Sequence, residues 1–150
     1  MTAVLVAVHL LAATVWVGGS TALIFVGVPA IRILEGDARG RAMKELGLRW
    51  RPLGYGALLV AALTGVVLAA RDWESSAAFQ IVFWVKVALA VCLVGVSYVH
   101  NFVLGPRLQA EIRDGRDQVT RPALVVVGWV SYSLTLSLPL LGVALARIVG

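Results

Sequence analysis

The sequence predicts an all-α integral membrane protein, an antiparallel four-helix bundle. Two observations predict it. First, four apolar stretches, about Ala3–Pro29, Pro52–Ala70, Phe79–Leu104 and Pro122–Ala146, are each long enough to cross a hydrocarbon core that needs about 20 helical residues. Second, all eight acids (Glu35, Asp37, Glu45, Asp72, Glu74, Glu111, Asp114, Asp117) fall between those stretches. Of the 150 residues, 60% are hydrophobic and 14% charged, against about 25% charged in a soluble domain. Within lipid only helices and closed barrels satisfy their own backbone, and apolar runs this long and continuous read as helices. The length suits a single transmembrane domain. No internal repeat or low-complexity segment stands out.

The first span begins close to the N-terminus but lacks the basic start of a signal peptide and runs past its usual length, so it reads as a retained helix. It offers Gly18, Gly19 and Ala22 for close packing. The segment Ile33–Trp50 is polar but helix-friendly, and reads as a continuation of span one or a short interfacial helix. Span two places Ala57, Ala61, Gly65 and Ala69 on one face, which permits close helix approach. Such faces also suit contact with other membrane proteins or a second copy of the chain. Span three is expected to stop at Gly105-Pro106. In span four Pro139 removes the partner of the Thr135 carbonyl.

The net charge of +5 follows topology rather than nucleic acid, which is not an expected partner. Arg32, Arg39, Arg41, Lys44, Arg49 and Arg51 lie between spans one and two. Arg107, Arg113, Arg116 and Arg121 lie between spans three and four, and only Arg71 and Arg147 lie on the other side. The asymmetry places both long loops in the cytoplasm and both termini outside a cell (inner) membrane. The loop bases can also meet anionic lipid headgroups of the bilayer.

The remaining base, Lys86, is the only Lys or Arg deep inside a span, and no carboxylate shares the membrane with it. An ionisable group at that depth costs roughly 2.5–3.5 kcal/mol on insertion scales and marks a candidate functional position. His9 lies about 9 Å into span one, in the same outer layer as Lys86, whereas His100 lies about 21 Å further along span three, near the cytoplasmic face. Lys86, Ala90, Leu93, Ser97 and His100 share one stripe of span three. His9, Ala13, Trp16 and Ser20 form a matching stripe of span one, and span four adds Trp129, Tyr132 and Thr135. Arg51, Tyr55 and Arg121 are expected at the depth of His100.

A neutral imidazole at these depths is a ligand for haem iron or another metal, or it bonds a backbone carbonyl. His9 and His100 are therefore the candidate metal ligands. Lys86, Arg51, Trp16 and Tyr132 are candidate cofactor contacts. A soft copper(I) route favours methionine and cysteine, and the chain has only Met1, Met43 and Cys92. Haem b needs one or two histidines, an apolar slot and a cation for its propionates; copper is the alternative. No paired carboxylates, nucleophile–base arrangement or phosphate loop is present to define an enzyme activity.

Four segments carry a family resemblance. His9 through Pro29, with Trp16-x-Gly18-Gly19, and Arg49–Ala70 resemble the first two helices of copper-resistance-D (CopD)-type membrane proteins. Val85-Lys86-Val87-Ala88-Leu89 and Tyr98-Val99-His100-Asn101-Phe102-Val103-Leu104-Gly105-Pro106-Arg107 resemble their third. The layout is also similar to HemJ-type protoporphyrinogen oxidases, which are associated with b-type haem. That resemblance implies functional roles for a first-helix histidine and a third-helix lysine, positions matched by His9 and Lys86. The run Gly18-Gly19-Ser20-Thr21 and the pair Pro29-Ala30 depart from the HemJ-type pattern.

Overall fold

A computed structural model describes residues 2–71, 73 and 76–149. The chain is all-α, and no strand occurs among the described residues. Its helices are α1 (Thr2–Ala22), α2 (Val28–Arg32), α3 (Gly36–Arg71), α4 (Ala77–Tyr98), α5 (Gly105–Arg113) and α6 (Thr120–Val149). Five-residue-spaced π turns at Leu23–Gly27 and Val99–Leu104 join α1 to α2 and α4 to α5. The four resulting rods, Ala3–Arg32, Gly36–Arg71, Ala77–Arg113 and Thr120–Ile148, are long and apolar enough to cross a membrane. The molecule is a multi-pass membrane protein.

The rods form two compact units, Met1–Glu74 and Ser75–Gly150, each a helical hairpin. In the first, the reversal occupies only Ile33–Glu35 and uses Gly36 at a φ of +54°, a conformation glycine adopts without a Cβ penalty. Helix resumes at once. The segment expected to extend span one or lie at the interface is instead the beginning of α3, continuous with span two. Its Ala, Arg, Lys, Glu and Leu are strong helix formers, and Glu45 pairs with Arg49 one turn on at 2.7 Å. The 36 residues of α3 extend about 54 Å, well beyond a hydrocarbon core of about 30 Å.

The second hairpin also departs from the expected boundary. Gly105-Pro106 does not end span three, which continues helically to Arg113. A proline in a regular helix clashes with the carbonyl four residues back. Here the preceding turn is widened, and the Gly105 N–H bonds to the His100 carbonyl. In the first hairpin the Val28 N–H bonds to Leu23 in the same way, just before Pro29. Each π turn thus lets a proline follow without breaking the rod. The second reversal, 114–119, contains Gly115 at φ +64°. It is closed by Glu111, whose carboxylate accepts from the Thr120 N–H (3.1 Å) and hydroxyl (2.5 Å) at the start of α6.

The shared π turns mark an internal correspondence between the hairpins that does not stand out in the sequence. A shift of 77 residues aligns the hairpins without a gap. It places Val8, Ala13, Val17, Gly18, Ser20, Phe25, Val26 and Pro29 on Val85, Ala90, Val94, Gly95, Ser97, Phe102, Val103 and Pro106. The same shift places Tyr55, Leu59, Leu63, Gly65, Val66, Leu68 and Ala69 on Tyr132, Leu136, Leu140, Gly142, Val143, Leu145 and Ala146. The correspondence is obscured because most matches are apolar residues common throughout the chain, and because the reversals fall at different points of the aligned copies.

Packing within the first hairpin centres on Trp50. Its ring lies against Gly54 on its own helix, where a Cβ would approach Cε2 to 2.8 Å, and a Cβ at Gly19 would fall inside the indole. Trp16, 6% exposed, stacks beside it at 6.1 Å and meets Tyr55 at 6.0 Å. Of the small residues expected to pack on span one, Gly19 is therefore the close contact, while Gly18 has open space around it. Gly19→Leu should destabilise the protein by about 1–3 kcal/mol through overpacking, read as a lowered thermal midpoint in detergent. Gly18→Leu should change stability by less than about 0.5 kcal/mol; equal effects would contradict this packing.

Candidate functional site

His9 stands on α1 opposite Thr64 and Gly65 of α3. A Cβ at Gly65 would lie 3.2 Å from the imidazole Cε1, so the absence of a side chain there makes room for the ring. The small-residue face of span two thus meets the first helix at a histidine. His9 Nδ1 and the Thr64 hydroxyl are 2.9 Å apart. The Thr64 hydroxyl also lies 2.6 Å from the Val60 carbonyl, which can only accept. The hydroxyl's single proton goes to that carbonyl, so Thr64 accepts from His9 and Nδ1 carries the ring proton. Nε2 is then the basic nitrogen, the one able to ligate a metal, and the Thr64 bond sets the ring's orientation.

Lys86 occupies the place in α4 that His9 occupies in α1, and Gly142 the place of Gly65. The correspondence is physical as well as sequential, because Lys86 Nζ lies 3.3 Å from where a Gly142 Cβ would stand. Among the described residues its ammonium has no hydrogen-bond or ion-pair partner. The stripe expected on span three does face α6. Leu93 is 0% exposed and Ser97 1%, and the Ser97 and Ser131 hydroxyls are 3.0 Å apart. His100 lies in the π turn with Nε2 3.2 Å from the Cβ position of Gly128. Asn101 donates to the Ser97 carbonyl at 2.9 Å.

Three candidate side chains therefore rest on three glycines of the returning helices: His9 on Gly65, His100 on Gly128 and Lys86 on Gly142. Gly128, Gly142 and Thr64 were not singled out from sequence. Alignment of the two copies marks Gly142 through its match to Gly65, but nothing local in the sequence marks the other two. Trp16 is buried in the first hairpin beside Tyr55, on the helix that also carries Arg51. Tyr132 packs edge-on to Trp129 at 6.1 Å. The stripe expected on span four is only partly inward. Thr135 is 2% exposed, but Trp129 is 52% exposed and does not belong to the buried seam. An indole half in contact with the surroundings suits a lipid-facing position. Among the described residues, no three His, Cys, Asp or Glu side chains converge.

The fold and these seams define a multi-pass, all-α membrane protein with polar side chains between the helices of each hairpin. Comparison with protein-family models, curated proteins and solved structures returned no match.

Thr64→Val keeps the side-chain shape and removes the acceptor for His9 Nδ1–H. It should cost about 1–3 kcal/mol, the penalty for a buried donor left unsatisfied, while Thr64→Ser should retain most of the stability. Detergent unfolding curves of the two variants check this, and parity between them would argue against the bond.

Proposed function

We propose that the protein is a redox-active membrane protein that binds b-type haem, with His9 as the residue that would hold it, through Nε2. The observation that carries this reading is the His9–Thr64–Val60 chain, which assigns the ring proton to Nδ1 and leaves the distal nitrogen basic. A fixed tautomer with an oriented ring is what a metal-ligating histidine requires. Haem suits a chain with isolated histidines because the porphyrin supplies most donors and the protein one or two. When bound, such a group would supply one-electron chemistry. The protein's own part is to orient the imidazole and exclude water with the apolar walls of α1 and α3.

In this reading Trp16, on the same hairpin as His9, is a secondary contact. The protein lies in the cell (inner) membrane, with the 33–35 and 114–119 reversals cytoplasmic and both termini outside, as the loop Arg and Lys residues favour.

The absorption spectrum of protein purified from haem-sufficient cells tests the cofactor. A Soret band lost in His9→Ala and retained in His100→Ala is expected. A band that survives His9→Ala overturns the ligand assignment, and bound copper without a Soret band would replace haem with copper handling.

Orientation is checked by single cysteines at Ala38 and Gln118 in a Cys92→Ala background. An impermeant maleimide should leave both unlabelled in intact cells and label both after lysis. Labelling before lysis would reverse the topology.

A further inference from the structure

The two hairpins share one template, so positions where they differ show what each has been adapted to do. On the first seam the template positions hold Trp16, Leu23, Gly54 and Leu58. The aligned positions of the second hold Leu93, His100, Ser131 and Thr135. An aromatic-filled seam in one copy is thus a hydroxyl-lined seam in the other. The polar residues follow a constant antiparallel register. Lys86 lies opposite Gly142, Leu93 is in register with Thr135, Ser97 bonds to Ser131, and His100 lies opposite Gly128. Ser97 and Thr135 are 1% and 2% exposed. Between Arg121 and Arg147 α6 carries no charged residue, and between Ala77 and Arg107 the α4 rod carries only Lys86. Polar groups buried in a membrane seam are costly, and ionisable ones mark ion or proton routes.

We propose that this seam is a proton-transfer row, with His100 and Lys86 as its terminal proton carriers and the Ser97–Ser131 pair and Thr135 between them. The chemistry favours protons over metal cations, because an ammonium on the route repels a cation but can give up and regain a proton. An imidazole accepts a proton at one nitrogen while the other holds its own, and a hydroxyl both donates and accepts. A proton taken up at His100 passes to the paired hydroxyls as one O–H bond forms and another breaks, and leaves at Lys86 with every bond restored. The row spans about 21 Å along α4. The longest interval, about 10 Å between the Lys86 and Leu93 layers, requires the flexible lysine stem and bridging water to close it. Glycines at both ends leave the space that the terminal carriers occupy. This proposal does not depend on the haem reading.

The test is proton uptake by the purified full-length protein in phosphatidylcholine liposomes containing a pH-sensitive dye, driven by a potassium gradient and valinomycin. Protein-dependent acidification is expected, reduced at least tenfold in His100→Ala and Lys86→Met. Lys86→Arg keeps a positive charge but cannot release a proton, so it should be as impaired as Lys86→Met; a purely structural cation would be rescued. Ser131→Ala should slow uptake severalfold, and Ser131→Thr should restore it. Cys92→Ala, altered on the exposed face of α4, should match the wild type, and circular dichroism confirms folding of each variant. Uptake no faster than in empty liposomes, full activity of Lys86→Arg, or equal sodium uptake would each overturn the proposal.

Discussion

A ring or an ammonium lies most readily between two closely packed membrane helices where the opposing backbone carries no side chain. That constraint organises both hairpins. His9, Lys86 and His100 each occupy space that a Cβ on Gly65, Gly142 or Gly128 would crowd. The glycines forgo helix propensity, about 1 kcal/mol each relative to alanine. In return the helices approach closely around a polar group and partly cover it. Where the group can find a partner, as His9 does on Thr64, the unsatisfied-donor penalty is removed. Where it has none among the described residues, as at Lys86, the arrangement preserves a site whose chemistry is not consumed by the fold.

Proline and the π turn form the second constraint. A proline placed beyond the middle of a membrane rod would interrupt its hydrogen bonding, and lipid offers no replacement partner. For Pro29 and Pro106 both hairpins use the same solution, an i to i−5 bond just before the proline, while Pro52 and Pro139 lie inside α3 and α6. In the second hairpin the widened turn also contains His100, so the backbone irregularity and a candidate functional side chain coincide. Such turns recur at functional sites.

The two hairpins align residue for residue at a shift of 77, yet corresponding positions carry different side chains. The same seat holds an imidazole in the first copy and an ammonium in the second, and the same seam is filled by Trp16 and Trp50 in one and lined by Ser97, Ser131 and Thr135 in the other. The rigid elements, which are the helix register, the π turns and the glycine notches, are common to both copies. The variable elements are the side chains placed on them. Large exposed residues such as Leu11, Leu63, Val91 and Leu140 complete the picture, since apolar outer faces suit lipid.

Much was legible from residue order alone. Long apolar runs without acids determine four membrane-length helices, because hydrocarbon makes free backbone groups and unpaired charge costly. Helical periodicity placed Leu93, Ser97, His100 and Lys86 on one stripe, and the α4–α6 seam follows it. The sequence also singled out His9, although not its partner. Tertiary structure decided what depends on the facing helix: that Thr64 sets the tautomer of His9, that Gly128 and Gly142 accommodate His100 and Lys86, and that Trp129 lies outside the seam while Thr135 lies within it. It also carried span three through Gly105-Pro106 and attached the 36–50 segment to span two. These outcomes depend on contacts between residues distant in the chain and on hydrogen bonds that shift by one position, and neither leaves a local trace in the order of amino acids.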